Sequence, residues 1–279
     1  MKDYPALPHA TEAPDRLFES GHLWLLEKVD GEPFRFQVRS SGLLRFGDRN
    51  RWYDDPNAVP KPFQHAVSHV RANLERSALR DAVDDSESLV FFGEAMHRQR
   101  IDYDWDRMPS FLGFDVWNDD TDRFYPPDTV EQIYERLGLH PVNAFERERR
   151  ARDFDLESYT VPQSHWYDGP AEGVIVRDKR GTRAKILHPT SDDLEDPVQE
   201  VATAAQLVER YATDERIAGV AATLEARDGA VTLEALHERV LEAIGREANH
   251  QLYRADGAVD MDAFRSALWD ALRRWMDGQ

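Results

Sequence analysis

The 279-residue chain has no cysteine, which excludes disulfide bonds, thiolate metal ligands and a cysteine nucleophile. His, Asp and Glu are left as the side chains able to hold a metal. Lysine is nearly as scarce. Only Lys2, Lys28, Lys61, Lys179 and Lys185 occur among 35 basic residues, so arginine supplies almost all the positive charge. That charge is itself in deficit, 35 bases against 53 acids, for a net of −18. A dispersed acidic surface poor in lysine suits a protein working in concentrated salt, where a Debye length of about 3 Å screens carboxylate repulsion. The composition is therefore read as halophilic. No apolar run approaches the roughly 18–20 residues that cross a bilayer. The N-terminal MKDYPALPHATEAPD also lacks an apolar signal core. The expected location is the cytoplasm, with no membrane partner. In so lysine-poor a chain, a lysine inside a core-like segment asks for a reason.

What is present is enough for a sizeable core: 41% hydrophobic residues, 10% aromatic, seven tryptophans. From Leu23 to Ile186 the pattern is mainly of strands. Leu23–Leu26 is an apolar run, Phe34, Phe36 and Val38 alternate with polar neighbours, and Leu43–Phe46 reads as the hairpin partner. Helical spacing of Phe63, Ala66, Val67, Val70 and Leu74 predicts one helix over about 62–81. A second is expected over 128–137, with Asp128 as its N-cap. Residues 88–92, 111–117, 173–176 and 184–187 read as further strands. After Pro189 the composition changes. An acidic linker over 191–196 precedes apolar stripes at Leu233, Leu236, Val240, Leu241 and Ile244, and at Phe264, Leu268, Leu272 and Trp275. The expected architecture is an α+β domain over 1–190 and a small all-helical domain over 197–279.

Several clusters carry chemistry. Lys28-Val29-Asp30-Gly31 sets a lysine at a strand end before a glycine turn, where an amine facing a cleft can act as a nucleophile. Arg49 and Arg51 follow the second strand and suit phosphate or ribose contacts. Phe92-Gly93-Glu94 ends a strand in a carboxylate, and Phe114-Asp115 offers an aromatic ring able to stack on a base. Glu172 heads the apolar strand Gly173-Val174-Ile175-Val176, where it could hold a divalent metal. Arg183 and Lys185, two residues apart on a strand, share a face.

In that order the clusters resemble the motif series of the covalent nucleotidyltransferases, the superfamily of ATP-dependent DNA ligases, RNA ligases and mRNA capping enzymes. The match covers roughly residues 20–190. Arg45-Phe46-Gly47-Asp48-Arg49-Asn50-Arg51 is similar to the arginine motif of RNA ligases that seal nicked or double-stranded RNA. A helical tail in place of a β-rich OB domain points the same way. One departure is Arg183, where the last motif usually has lysine. The resemblance implies an adenylation domain of antiparallel sheets with flanking helices. It implies ATP with Mg²⁺ or Mn²⁺ as cofactors, and RNA with 3′-hydroxyl and 5′-phosphate ends as partner. Lys28 would attack the α-phosphate to give lysyl-AMP, and Glu172 would bind the metal. Lys185 would neutralise the α-phosphate and Arg183 face the outer phosphates. Phe114 would stack on adenine, Glu94 accept from a ribose hydroxyl, and Arg49 hold the ribose or the incoming 5′-phosphate. Glu27 joins this nucleotide-binding set. The alternatives are a DNA ligase or capping enzyme on the same domain, or an RNA-binding relative without catalysis. The helical tail is a candidate for RNA contact or homodimerisation.

Overall fold

Alternating apolar and polar residues build two sheets, in a computed structural model that describes residues 2–83, 85–191, 202–254 and 259–278. The chain divides into two units, Met1–Met96 with Arg100–Glu195, and His97–Gln99 with Asp196–Gln279. In the first unit β1 (His22–Lys28), β9 (Ala144–Arg150), β10 (Gly173–Asp178) and β11 (Arg183–Leu187) form an antiparallel sheet in the order β11-β10-β1-β9. The second sheet contains β2 (Glu32–Val38), β3 (Leu44–Asp48), β4 (Trp52–Tyr53), β5 (Leu89–Ala95), β6 (Phe111–Asn118) and β7 (Arg123–Phe124), in the order β4-β3-β2-β5-β6-β7. The short β8 (His140–Pro141) lies parallel beside β6.

Period-2 alternation assigns the faces. On β1, Leu23 and Leu25 join Val174, Val176 and Ala184 in a core closed by Leu17 of α1 (Arg16–Glu19), Ala151 and Phe154. Trp24 and Leu26 turn the other way and, with Ile175, meet Leu112 and Phe114 of the second sheet. The far face of that second sheet is covered by α2 (Gln64–Asn73), α3 (Arg76–Ala82) and α4 (Pro127–Arg136). There Phe34, Phe36, Phe91 and Phe111 pack against Val67, Val70, Leu79, Val130 and Tyr134. Each fully buried ring contributes roughly 1.5–3 kcal/mol. This aromatic layer holds rigid the strands that carry Glu94 and Phe114. Tyr134 passes so close to β6 that a Cβ at Gly113 would lie 2.2 Å from its ring. Its hydroxyl lies 2.8 Å from the Phe92 carbonyl and 3.0 Å from that of Asp115.

Three local expectations are corrected. The single helix over 62–81 is two, because Leu74 turns extended and the Glu75 N–H donates to the Leu137 carbonyl, 2.9 Å away, rather than back into the helix. Asp128 is not an N-cap: α4 begins at Pro127 after Pro126, and Asp128 lies in the first turn, paired with Lys179 at 2.9 Å. The strand β9 was not expected from Ala-Phe-Glu-Arg-Glu-Arg-Arg. Its register against β1 shifts between Leu23 and Leu25, and Glu148 takes a positive φ of 56°, which breaks the alternation a strand normally shows. Of the expected linker, residues 192–196 lie outside the described residues.

The second unit is helical: α5 (Ala204–Tyr211), α6 (Asp214–Asp228), α7 (Leu233–Glu247) and α8 (Met261–Asp277). Thr203, Thr213, Thr232 and Asp260 each accept a hydrogen bond from a backbone N–H in the first turn that follows them. Each such cap is worth about 1 kcal/mol. The two apolar stripes meet in one core of Leu236, Val240, Ile244, Phe264, Leu268 and Leu272, joined by Leu207 and Ile217. His97–Gln99, which interrupt the first unit in sequence, group with this unit, and the Arg98 N–H donates to the Arg246 carbonyl at 2.9 Å. Among the described residues no helix is long and apolar enough to cross a membrane.

Candidate active site

The turn Val29–Gly31 carries the chain from the first sheet to the second, so Lys28 stands where the sheets meet. Its register partner on β10 is Gly173, which is paired on its other side with Leu187. The Lys28 Nζ lies 2.6 Å from Oε2 of Glu172, a carboxylate only 6% exposed. Among the described residues the other ion-paired lysine, Lys179, meets surface carboxylates, and Lys2 lies over the Trp117 ring. Gly31 is required by a close approach, since a Cβ there would lie 2.8 Å from Met96 Sδ and 2.9 Å from Glu94 Cβ. The turn therefore presses on the end of β5, bringing Lys28 and Glu94 to one place.

Glu94 is the unsatisfied member of the group. Its Oε2 is shielded from solvent and has no hydrogen-bond partner. Burial pushes its carboxyl up to about 8; Lys28 and Arg49 oppose the shift, Glu172 and Glu32 add to it. A buried oxygen lacking a donor is costly unless one arrives with a ligand. Glu172 is also raised, chiefly by burial, with Lys28 and Arg100 opposing. Arg49 sits on the exposed turn after β3, near enough to act on Glu94. Phe114 is half-buried between the sheets, its ring met edge-on by Tyr4 at 4.9 Å.

The last cluster lies on β11. Arg183 shares a face with Lys185, but its guanidinium is bound to Asp115 and the Tyr4 hydroxyl and lies 4.3 Å from the centre of the Phe124 ring. Asp115, fully buried, also pairs with Arg177 at 3.2 Å, and Arg177 donates to the Phe114 carbonyl at 3.1 Å. Register puts Arg183 beside Arg177, four residues and roughly 13 Å along the strand from the Lys28–Gly173 level. In this arrangement Arg183 braces the strand that carries Phe114. Lys185 lies beside Ile175, half as far from Lys28 along the strands; among the described residues its ammonium has no ion-pair partner. Glu27 is 2% exposed and bound to Ser164 Oγ at 2.6 Å, the His165 N–H and the Asn143 amide. Burial raises its pKa while these donors oppose. Through these bonds it pins the loop at Ser164–His165.

Sequence reasoning gave no role to Asp30, Arg100, Tyr103 or Tyr4. Asp30 accepts from the Arg100 and Ile101 N–H groups at 2.8 and 2.9 Å, and its own N–H donates to the Tyr103 hydroxyl at 2.8 Å. Arg100 contacts Asp30 and Glu172 together. The only signal available was a charged pair close to aromatic residues, which many loops share. No group of three or more His, Asp or Glu suited to a metal occurs among the described residues. One carboxylate is nonetheless sufficient for a magnesium-like ion that keeps waters and takes its other ligands from substrate phosphates. Glu172, which already holds two cationic side chains, fits that demand.

The sequence profile of the family described as RNA ligase matches residues 21–188, more than half of the chain. The chain belongs to the RNA ligase family. Among solved structures, the Naegleria gruberi RNA ligase with PPi superposes with TM-score 0.53 at 13% identity, covering 69% of this chain and 57% of that one. A mutant of the same ligase with ATP and Mn gives TM-score 0.55 at 12% identity, over 70% and 58%. At this identity the likeness speaks for the fold of this RNA ligase family member. An archaeal ATP-dependent RNA ligase aligns with TM-score 0.48 and 15% identity over 100% of this chain and 67% of that one, too loosely to carry an argument. The chain spans less than two thirds of the length of the Naegleria ligase. No curated protein sequence matches it.

Proposed function

We propose that this RNA ligase family member is an ATP-dependent enzyme that seals RNA 3′-hydroxyl and 5′-phosphate ends through lysyl-AMP and RNA-adenylate intermediates. The observation that carries the reading is Lys28, whose amine lies 2.6 Å from a buried Glu172 where the chain passes from one sheet to the other. In the first step the Lys28 ammonium gives up a proton to solvent and its neutral Nζ attacks the α-phosphorus of ATP; the N–P bond forms as the P–O bond to pyrophosphate breaks, and the nitrogen sheds a second proton to leave the phosphoramidate. The barrier is mainly one of charge crowding, so prearranged cations are where a protein contributes most. Lys185, beside Ile175 on the face of β11 that also carries Arg183, would meet an α-phosphate oxygen. Phe114 presents a ring for adenine, and Glu94 Oε2 accepts from a ribose hydroxyl. Glu172 would hold Mg²⁺ or Mn²⁺, which supplies charge neutralisation at the phosphates when bound. AMP then passes to the RNA 5′-phosphate, held near Arg49, and the 3′-hydroxyl displaces it.

The acidic composition supports a setting of concentrated salt, and the RNA ligase family match supports broken RNA rather than a cap as the substrate. The test uses α-labelled ATP with Mg²⁺ or Mn²⁺ across a range of salt. Wild type is expected to retain acid-labile label after denaturation, and Lys28→Ala to retain none. Label from GTP instead of ATP would favour a capping enzyme. Sealing of DNA nicks in preference to RNA would make it a DNA ligase. No adduct from folded protein under any of these conditions would reject the enzyme.

A further inference from the structure

Glu172 does not rest on Lys28 alone. Arg100, in the segment between β5 and β6, brings its Nη2 to 3.3 Å from Glu172 Oε1 and 3.4 Å from Asp30 Oδ1. Its Nη1 donates to the Ser191 carbonyl at 3.0 Å. Asp30 holds Arg100 in return, because its other oxygen accepts the N–H groups of Arg100 and Ile101 at 2.8 and 2.9 Å. Ile101 is itself buried in the core beside Trp24 and Leu26. Two buried carboxylates are thus balanced by two cations in a chain Lys28–Glu172–Arg100–Asp30. Arginine suits the inner place because its planar fork can span two carboxylates, which a lysine ammonium on a flexible stem cannot do with fixed geometry.

The two cations differ in anchorage. Lys28 meets Oε2 through one contact at the end of a four-carbon stem, and it must leave that oxygen to reach phosphorus. Arg100 is fixed at its guanidinium and at its own backbone. When Lys28 departs, Oε2 is freed while Oε1 stays bound. We propose that Arg100 is the positioning residue of this site: it clamps Glu172 through Oε1, so that Oε2 passes from Lys28 to the divalent cation without the carboxylate turning away. The inference rests on the ligase reading given above. It extends that reading to a residue outside the motifs.

The test reads metal binding rather than turnover. Mn²⁺ binding in the presence of ATP is followed by electron paramagnetic resonance in Lys28→Ala protein, which cannot form the adduct and leaves Oε2 free. Adding Arg100→Gln is expected to weaken Mn²⁺ binding about 10–100-fold, the usual effect of removing a group that orients a metal ligand. Arg100→Lys keeps the charge but not the span and recovers only part of the loss. Equal Mn²⁺ affinity with and without Arg100→Gln, in proteins with matching circular dichroism and thermal midpoints, overturns the proposal. Tighter binding overturns it too, since Arg100 would then be a competitor of the metal. If Arg100→Gln does not fold, Arg100→Lys decides: a several-fold loss supports the clamp and unchanged affinity rejects it. Failure of the ligase reading looks different, because wild type then forms no lysyl-AMP and the Lys28→Ala protein takes up no Mn²⁺ with ATP.

Discussion

Replacing Glu94 by glutamine should remove a loss of stability that the ligand-free wild type suffers as pH rises, by an amount the raised Glu94 carboxyl sets. The Glu94 carboxyl is pushed from its ordinary 4.5 up to about 8, mainly by burial, and its Oε2 has no partner. Between those values the folded state keeps a proton that the unfolded chain has released. Stability therefore falls with pH, at up to about 1.4 kcal/mol per unit. The loss begins near the unfolded value and ends once pH has passed the folded one. From pH 6 to pH 8 the integrated loss is about 2 kcal/mol, because the slope halves as the folded group reaches its own midpoint. Glutamine is a near isostere of the protonated form and does not titrate. Wild type should thus lose roughly 4–8 °C of thermal midpoint relative to Glu94→Gln over that span, at the 2–4 °C per kcal/mol usual for domains of this size. Glu27 and Glu172 are raised as well, so the quantity to follow is the difference between the two proteins across pH, by calorimetry without nucleotide. Parallel curves from pH 6 to 8 would refute the reasoning and mean that Glu94 is solvated or already paired.

Asp115→Ala leaves the guanidinium groups of Arg177 and Arg183, 2% and 7% exposed, without their shared carboxylate. A loss of about 3–5 kcal/mol is expected by urea unfolding, and a loss under 1 kcal/mol would mean the cluster rearranges freely. Gly113→Ala forces a Cβ to within 2.2 Å of the Tyr134 ring. It should cost about 1–3 kcal/mol by overpacking, read as a lower urea midpoint at unchanged slope. Phe114→Ala should raise the KM for ATP in adenylation by roughly tenfold or more, from a lost base–ring contact of ~1–3 kcal/mol, and change kcat less. An unchanged KM would remove Phe114 from the nucleotide site.

The chain of strands and the helical tail were legible because period-2 and period-3.6 patterns report burial directly, as in Phe34-Phe36-Val38 or Leu236-Val240-Ile244. Helix ends were less so. Leu74 continues an apolar stripe yet leaves the helix, since a carbonyl from Leu137, distant in sequence, takes the next N–H. Strand β9 hid behind its bulge. Within the site, Lys28, Glu172, Glu94 and Phe114 stood out as polar or aromatic breaks at the ends or middles of apolar strands. The structure brings Lys28 against Glu172 and turns Phe114 toward the inter-sheet layer. Arg183 illustrates the limit. Its face was readable from i, i+2 spacing, but not the buried Asp115 across the sheets that claims it. Arg100 was out of reach altogether, as its partners lie 70 residues or more away along the chain.

The β10–β11 hairpin acts on this chemistry as a ruler. Its turn is set locally: Asp178 Oδ1 accepts the N–H groups of Arg180 and Thr182 at 2.9 and 2.8 Å, and Gly181 adopts a φ of 93°. That length fixes Arg177 beside Arg183 and, counting down the ladder, Ile175 beside Lys185 and Gly173 beside Leu187. One residue more in the turn would turn β11 over, sending Lys185 to the core face and Ile186 to the face that Lys185 now holds. An insertion there would look harmless by exposure, since Lys179, Arg180 and Gly181 face solvent. Under the proposed function it would nevertheless change which side chain is offered to the nucleotide, so the length of this loop belongs to the specification of the site as much as the residues inside it.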